Sequence, residues 1–143
     1  MPKLKVYFAC SIRGGGDTSS YEAIVDAIKH SNAECLSEVF VGDAINTQGS
    51  PMPDTDIYKR DTSWIQECDL VIAEVTNPSL GVGYEIAYAE QLNKPILALY
   101  KLGTNLSAMI SGNPQITTKD YDTQDTLTDA ITACIQGQSL TED

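Results

Sequence analysis

Basic side chains are scarce in this sequence. Its 143 residues carry nine Lys plus Arg against twenty Asp plus Glu, for a formal net charge of −11, and only Arg13 and Arg60 are arginines. A nucleic-acid groove needs a basic stripe to neutralise phosphates, so no nucleic-acid partner is expected. An anionic small ligand would have to be held by few cations and many neutral donors. There is one histidine, His30. A Ser-His-Asp or Cys-His scheme would depend on it, yet it falls near the end of a predicted helix, where a cation favours the dipole. Cys10, Cys35, Cys68 and Cys134 form no close pair and no zinc spacing, so neither a metal nor a disulfide framework is expected. No run of about 18 apolar residues exists to suggest a membrane span. The N-terminus lacks the apolar core and cleavage site of a signal peptide, which points to a reducing cytoplasm, or the nucleus of a eukaryotic cell.

What is present is alternation. Leu4 to Cys10 and Leu70 to Val75 are short, continuous apolar runs of the kind that form buried parallel strands, and Pro95 to Tyr100 is a third. Glu38 to Val41 and Gln115 to Thr118 are weaker strand candidates. Between them, helices are predicted at Ser19–Lys29, opened by the capping box Ser19-x-x-Glu22, and at Ile57–Cys68, Val82–Leu92 and Thr123–Ile135, the last with Asp122 as N-cap. A short helical piece is expected near Ser107–Ile110, a long loop over Gly42–Asp56, and a tail over 137–143 beyond a single domain of residues 1–136. Five strand–helix alternations imply an α/β, doubly wound, five-stranded parallel sheet, flavodoxin-like with order 2-1-3-4-5. In such sheets ligands bind beyond the strand C-termini, at the switch point between the first and third strands.

The loops at that edge hold the unusual residues. Ser11-Ile12-Arg13-Gly14-Gly15-Gly16 runs from a strand into a helix, so its amides, hydroxyl and arginine form a candidate anion site, although it is neither GxGxxG nor a Walker loop. Thr76 to Glu85 contains Ser79, Gly81 and Gly83, and places Glu85 early in the next helix. Acidic residues are common in a first helical turn, but glycines there weaken the helix while opening its backbone to a ligand. On the helix from Ile57, 100° spacing puts Asp61 in the middle of the apolar stripe Ile57, Trp64, Ile65 and Cys68. A carboxylate on a buried face is costly unless paired, and adjacent residues such as Arg60 point elsewhere on a helix. Burial and a second carboxylate would raise its proton affinity, the arrangement that glycosyl-transfer chemistry requires. Glu74, at a strand end, ranks below it as a capping or solvent-facing residue.

Taken together, Tyr7-Phe8, Ser11-Ile12-Arg13-Gly14-Gly15, Asp61-x-x-Trp64, Ala73-Glu74-Val75-Thr76 and Ser79-Leu80-Gly81-Val82-Gly83-Tyr84-Glu85 resemble the 2′-deoxynucleoside 5′-phosphate N-hydrolases, within the nucleoside 2-deoxyribosyltransferase superfamily. The resemblance runs from about residue 4 to 112. It implies cleavage of the N-glycosidic bond of nucleoside 5′-monophosphates to free base and (2-deoxy)ribose 5-phosphate, without metal or cofactor. By the same resemblance Glu85 is the nucleophile and Asp61 the proton donor to the leaving base or a sugar-hydroxyl ligand, with Tyr7 orienting the nucleophile. Ser11, Arg13, Gly14, Gly15, Ser79 and Gly81 would hold the phosphate. Ser107 would reach the neighbouring active site of a homodimer. Ala9-Cys10 and Ala87-Tyr88 depart from the family pattern and bear on base preference and assembly. A deoxyribosyltransferase that moves the sugar between bases, and a non-catalytic nucleotide sensor on the same fold, are the alternatives.

Overall fold

The apolar runs of the sequence become one parallel sheet, because each is long enough to cross a core and too short to fill a helix. The computed structural model describes residues 3–12, 16–38, 41 and 52–141. Strand β1 (Leu4–Ala9) is followed by helix α1 (Thr18–His30), β2 (Ala33–Cys35) and α2 (Asp54–Glu67). Then come β3 (Leu70–Glu74), α3 (Leu80–Gln91), β4 (Ile96–Lys101), α4 (Ala108–Ser111), β5 (Ile116–Tyr121) and α5 (Gln124–Thr141). The sheet order is β2-β1-β3-β4-β5, all parallel, as the alternation implies.

Period-two side-chain alternation sorts each central strand onto two faces. Val6, Phe8, Leu70, Ile72, Leu97 and Leu99 pack under α1 and α5. Tyr7, Ala9, Val71, Ala73, Ile96 and Ala98 pack under α2 and α3. The connection after β1 passes to the α1/α5 face and that after β3 to the α2/α3 face, so the loops leaving these paired strands diverge at the switch point and leave a crevice beyond their C-termini. Tyr7 is thus committed by its position in β1 to the α2/α3 side of that crevice.

Several boundaries differ from the sequence reading. The second strand is Ala33–Cys35, not Glu38–Val41; residues 38 and 41 are helical, and Val41 N–H donates to Ser37 O at 3.0 Å. The strand is short because Ser37, fully buried, takes over its pairing: Ser37 Oγ accepts from Phe8 N (3.0 Å) and donates to Phe8 O (2.9 Å). Helix α1 is capped by Asp17, whose carboxylate accepts from the amides of Ser19 and Ser20, in place of the Ser19 capping box. Thr123 rather than Asp122 caps α5, with its Oγ1 accepting from Thr126 N at 3.1 Å. That helix runs past Gly137 to Thr141, since one interior glycine costs only about 1 kcal/mol. Most of the long loop over Gly42–Asp56 lies outside the described residues, and α2 begins at Asp54, inside its expected end. Helix α2 is lightly anchored: Ile65 is its only buried residue, and Pro53 caps it without a side-chain bond. Its C-terminus lacks a basic residue of its own, and Lys94 supplies one, donating from Nζ to Gln66 O (2.9 Å) and Cys68 O (2.8 Å).

Candidate active site

Three side chains from three elements meet in the crevice. Tyr7 comes from β1, Asp61 from α2 and Glu85 from α3. The Tyr7 hydroxyl donates to Glu85 Oε2, and it also lowers the proton affinity of Asp61. The Tyr7 ring is held by Trp64, with centroids 6.4 Å apart and planes tilted by 43°. Glu85 is the sixth residue of α3, beyond the first turn, so the macrodipole does not account for it.

Electrostatics divides these groups. Burial, then the charges of Glu85 and Asp61, pushes the Tyr7 hydroxyl well above its usual range, so it remains a proton donor. Burial is the main cause for Glu85 too, and carries its pKa from 4.5 up to about 7; the Tyr7 hydrogen bond opposes this and the Asp61 charge adds to it. Asp61 is raised by burial and pulled back by Arg60 and Tyr7. Contrary to the expectation that neighbours on a helix diverge, Arg60 Nε donates to Asp61 Oδ1 at 3.0 Å. Two carboxylates, both with proton affinities raised by burial, next to a fixed donor, suit proton transfer paired with nucleophilic attack at a polarised centre.

The remaining expected positions form the rim. Ser11 lies two residues past the end of β1 and is buried; its carbonyl accepts from the Tyr21 hydroxyl at 2.9 Å. Its Oγ has no hydrogen-bond partner among the described residues, a costly state that a ligand oxygen would relieve. Arg13, Gly14 and Gly15 lie outside the described residues. Ser79 caps α3, its Oγ accepting from Val82 N at 3.3 Å. A Cβ on Gly81 would meet only Ser79 Oγ, 3.9 Å away, and one on Gly83 would meet nothing, so the first turn of α3 presents open backbone. Ser107 is exposed at the start of α4 and accepts from Met109 N at 3.2 Å.

Two other titratable groups are structural. Glu74 is buried and saturated, accepting from Thr76 N and Thr76 Oγ1 (both 2.8 Å) and from the Tyr121 hydroxyl; it ties together the ends of β3 and β5. His30 is exposed at the C-terminus of α1, at the opposite edge of the sheet, with Nδ1 2.7 Å from Asp26 O. Sequence reasoning missed the roles of Arg60 and Trp64. Their i, i+4 spacing was the available signal, since it stacks the guanidinium 4.8 Å over the indole. Among the described residues no helix is long and apolar enough to cross a membrane.

Known proteins resemble this chain along most of its length. Residues 6–135 match the family described as nucleoside 2-deoxyribosyltransferase. A provisionally named 2′-deoxynucleoside 5′-phosphate N-hydrolase 1 of Syntrophotalea carbinolica is 46% identical over 121 residues, covering 83% of this chain and 85% of its own. The 5-hydroxymethyl-dUMP N-hydrolase of Mus musculus is 43% identical over 112 residues, covering 75% of this chain and 64% of its own. Among solved structures, a CMP N-glycosidase of Clostridium botulinum superposes with a TM-score of 0.66 at 21% identity, over 89% of this chain and 97% of that one, which supports the fold.

Proposed function

The chain belongs to the nucleoside 2-deoxyribosyltransferase family, and from that premise we propose that it hydrolyses the N-glycosidic bond of 2′-deoxynucleoside 5′-monophosphates. The observation that carries this reading is Glu85, a largely buried carboxylate whose proton affinity lies near neutrality and which accepts from Tyr7 beside a second acid, Asp61. An ionised Glu85 oxygen attacks the anomeric carbon, and the bonding pair leaves with the base. Asp61 either protonates that base or holds a sugar hydroxyl. Water then attacks the anomeric carbon of the glycosyl ester and gives up a proton, to the ionised Asp61 or to the departed base anion, regenerating the Glu85 carboxylate and releasing 2-deoxyribose 5-phosphate. Ser11, Arg13, Gly14, Gly15, Ser79 and Gly81 are assigned to the phosphate, and the orphaned Ser11 hydroxyl supports that assignment. Chromatography of reactions with deoxynucleoside monophosphates, ribonucleoside monophosphates and free nucleosides tests the reading. Free base should come chiefly from the deoxynucleotides, and failure of every monophosphate to yield base rejects it. An added acceptor base separates hydrolysis from transfer.

Glu85 must be ionised to attack, so kcat/KM should fall as pH drops below about 7. Tyr7→Phe removes the hydrogen bond that lowers the Glu85 pKa. It should therefore move this acid limb to higher pH, and lower kcat by about 10- to 100-fold through loss of one bond to a charged group. A pH–rate profile of both proteins checks the direction.

The reading includes a homodimer in which Ser107 reaches the partner's phosphate. Large apolar side chains lie exposed on and beside α3 and α4: Leu80 at 97%, Met109 at 80%, Tyr58 at 56% and Tyr84 at 53%. The rings of Tyr84 and Tyr88 stack at 6.4 Å along α3, and burying such a face would stabilise a pair of chains. Ser107→Ala should raise KM for monophosphates about tenfold and leave KM for a free nucleoside unmoved. Equal effects on both substrates would remove Ser107 from phosphate binding.

A further inference from the structure

We propose that Arg60 is a positioning residue for this reaction: laid on the indole of Trp64, it holds the Asp61 carboxylate in the crevice and sets its charge state through the catalytic cycle. The inference rests on the function proposed above and adds the group that governs its second carboxylate.

The geometry is unusual for neighbours on a helix. Side chains at i and i+1 diverge by about 100°, so adjacent ions seldom pair. Here the guanidinium does not extend into solvent. It lies with Cζ 4.8 Å from the centroid of the Trp64 ring, one helical turn on, which brings Nε to 3.0 Å from Asp61 Oδ1. Nη1 sits 3.0 Å from the sulfur of Met52, so the guanidinium is packed beyond the ring as well. The pair is shielded: 21% of the Arg60 side chain and 13% of the Asp61 side chain are exposed. An ion pair with so little solvent contact is screened far less than a surface pair. Trp64 also packs against Tyr7, the donor to Glu85, so one indole supports both the cation and the tyrosine.

Among the described residues, the charged and titratable groups facing Asp61 are Arg60 on its own helix, Tyr7 from β1 and Glu85 from α3; Cys10, just past β1, feels Glu85 in turn. Burial pushes the Asp61 carboxyl up, and Arg60 supplies the largest opposing influence. Without the guanidinium, Asp61 would hold its proton to higher pH. A lysine would keep the charge but lose the planar stack and the fixed Nε direction.

The test compares kcat, KM and the kcat/KM–pH profile of the intact protein with those of Arg60→Met, Arg60→Lys and Trp64→Leu, using a deoxynucleoside monophosphate. In Arg60→Met, kcat should fall at least tenfold with KM changed less than about threefold, and the limb governed by Asp61 should move to higher pH. The limb that moves also reports the role of Asp61: the basic limb if it gives a proton to the base, the acid limb if it acts ionised on a sugar hydroxyl. Arg60→Lys should lower kcat with the profile close to that of the parent. Trp64→Leu should move the profile in the direction of Arg60→Met. If Arg60→Met is folded by circular dichroism and its kcat and profile match the parent, the proposal is overturned. If that variant does not fold, an unmoved profile in Trp64→Leu together with an unchanged kcat in Arg60→Lys overturns it. A parent protein that releases no base rejects the proposed function itself and is thereby told apart from a failure of Arg60.

Discussion

Glu85→Gln is expected to abolish base release, lowering kcat by about 10⁴-fold or more, because a neutral amide cannot form the glycosyl ester. Glutamine preserves the volume and still accepts from Tyr7, so the loss reports chemistry rather than collapse of the site. The same substitution should make the protein more stable at alkaline pH. Folding raises the Glu85 pKa from 4.5 to about 7, so the native state binds the proton more tightly than the unfolded chain does. Below about pH 4.5 both states are protonated and the residue is neutral to stability. As pH rises towards 7 the unfolded chain has ionised while the native carboxyl resists, and above 7 the buried anion costs about 1–3 kcal/mol. Urea denaturation should show Glu85→Gln ahead of the parent at pH 8 and level with it at pH 4. A variant that is inactive but no more stable at pH 8 would place the carboxylate in a less desolvated setting than the structure gives it.

Asp61→Asn carries the second large effect, a fall in kcat of about 10²–10⁴-fold. Asparagine keeps the shape but has no exchangeable acid proton and no charge for Arg60 to pair. Comparing bases of different leaving ability sharpens the test. If Asp61 protonates the departing base, a nucleotide whose base departs readily without a proton should recover much of the lost rate in the variant. If Asp61 anchors a sugar hydroxyl instead, the loss should be the same for every base. Full activity of Asp61→Asn on all substrates would remove it from the mechanism.

The sheet was legible because its three central strands, β1, β3 and β4, are buried on both faces and carry the continuous apolar runs that burial demands. The order followed from the alternation, and its crevice directed attention to the loops after β1 and β3. Asp61 stood out by the cost of a carboxylate within an apolar stripe. The second strand was misplaced for a physical reason: Ala33–Cys35 is an edge strand of three residues that Ser37 completes with its side chain, and no hydropathy pattern encodes a hydroxyl standing in for backbone. Helix starts were likewise hidden, since Asp17 and Thr123 compete with nearby residues that could cap equally well. A salt bridge of Asp61 with Arg60 or Lys59 is conceivable from the sequence but discounted by helical spacing; the Trp64 platform is what makes the Arg60 pairing favourable. Glu85 was suggestive from its glycine-rich approach, and its contact with Tyr7, 78 residues earlier in the chain, is visible only once the helix docks.

The sparse anchoring of α2 has a thermodynamic corollary. With Ile65 alone fully buried and its last carbonyls tied down by Lys94 from another segment, this helix is suited to open while the sheet stays closed. Each such opening carries away Asp61, Arg60 and Trp64 at once and dismantles the crevice. A nucleotide touching Asp61 must work against that local melting, so part of its binding energy goes into holding the helix shut and the remainder appears as affinity. Amide protection confined to residues 54–67 would then rise with ligand concentration, making the catalytic wall a reporter of its own occupancy.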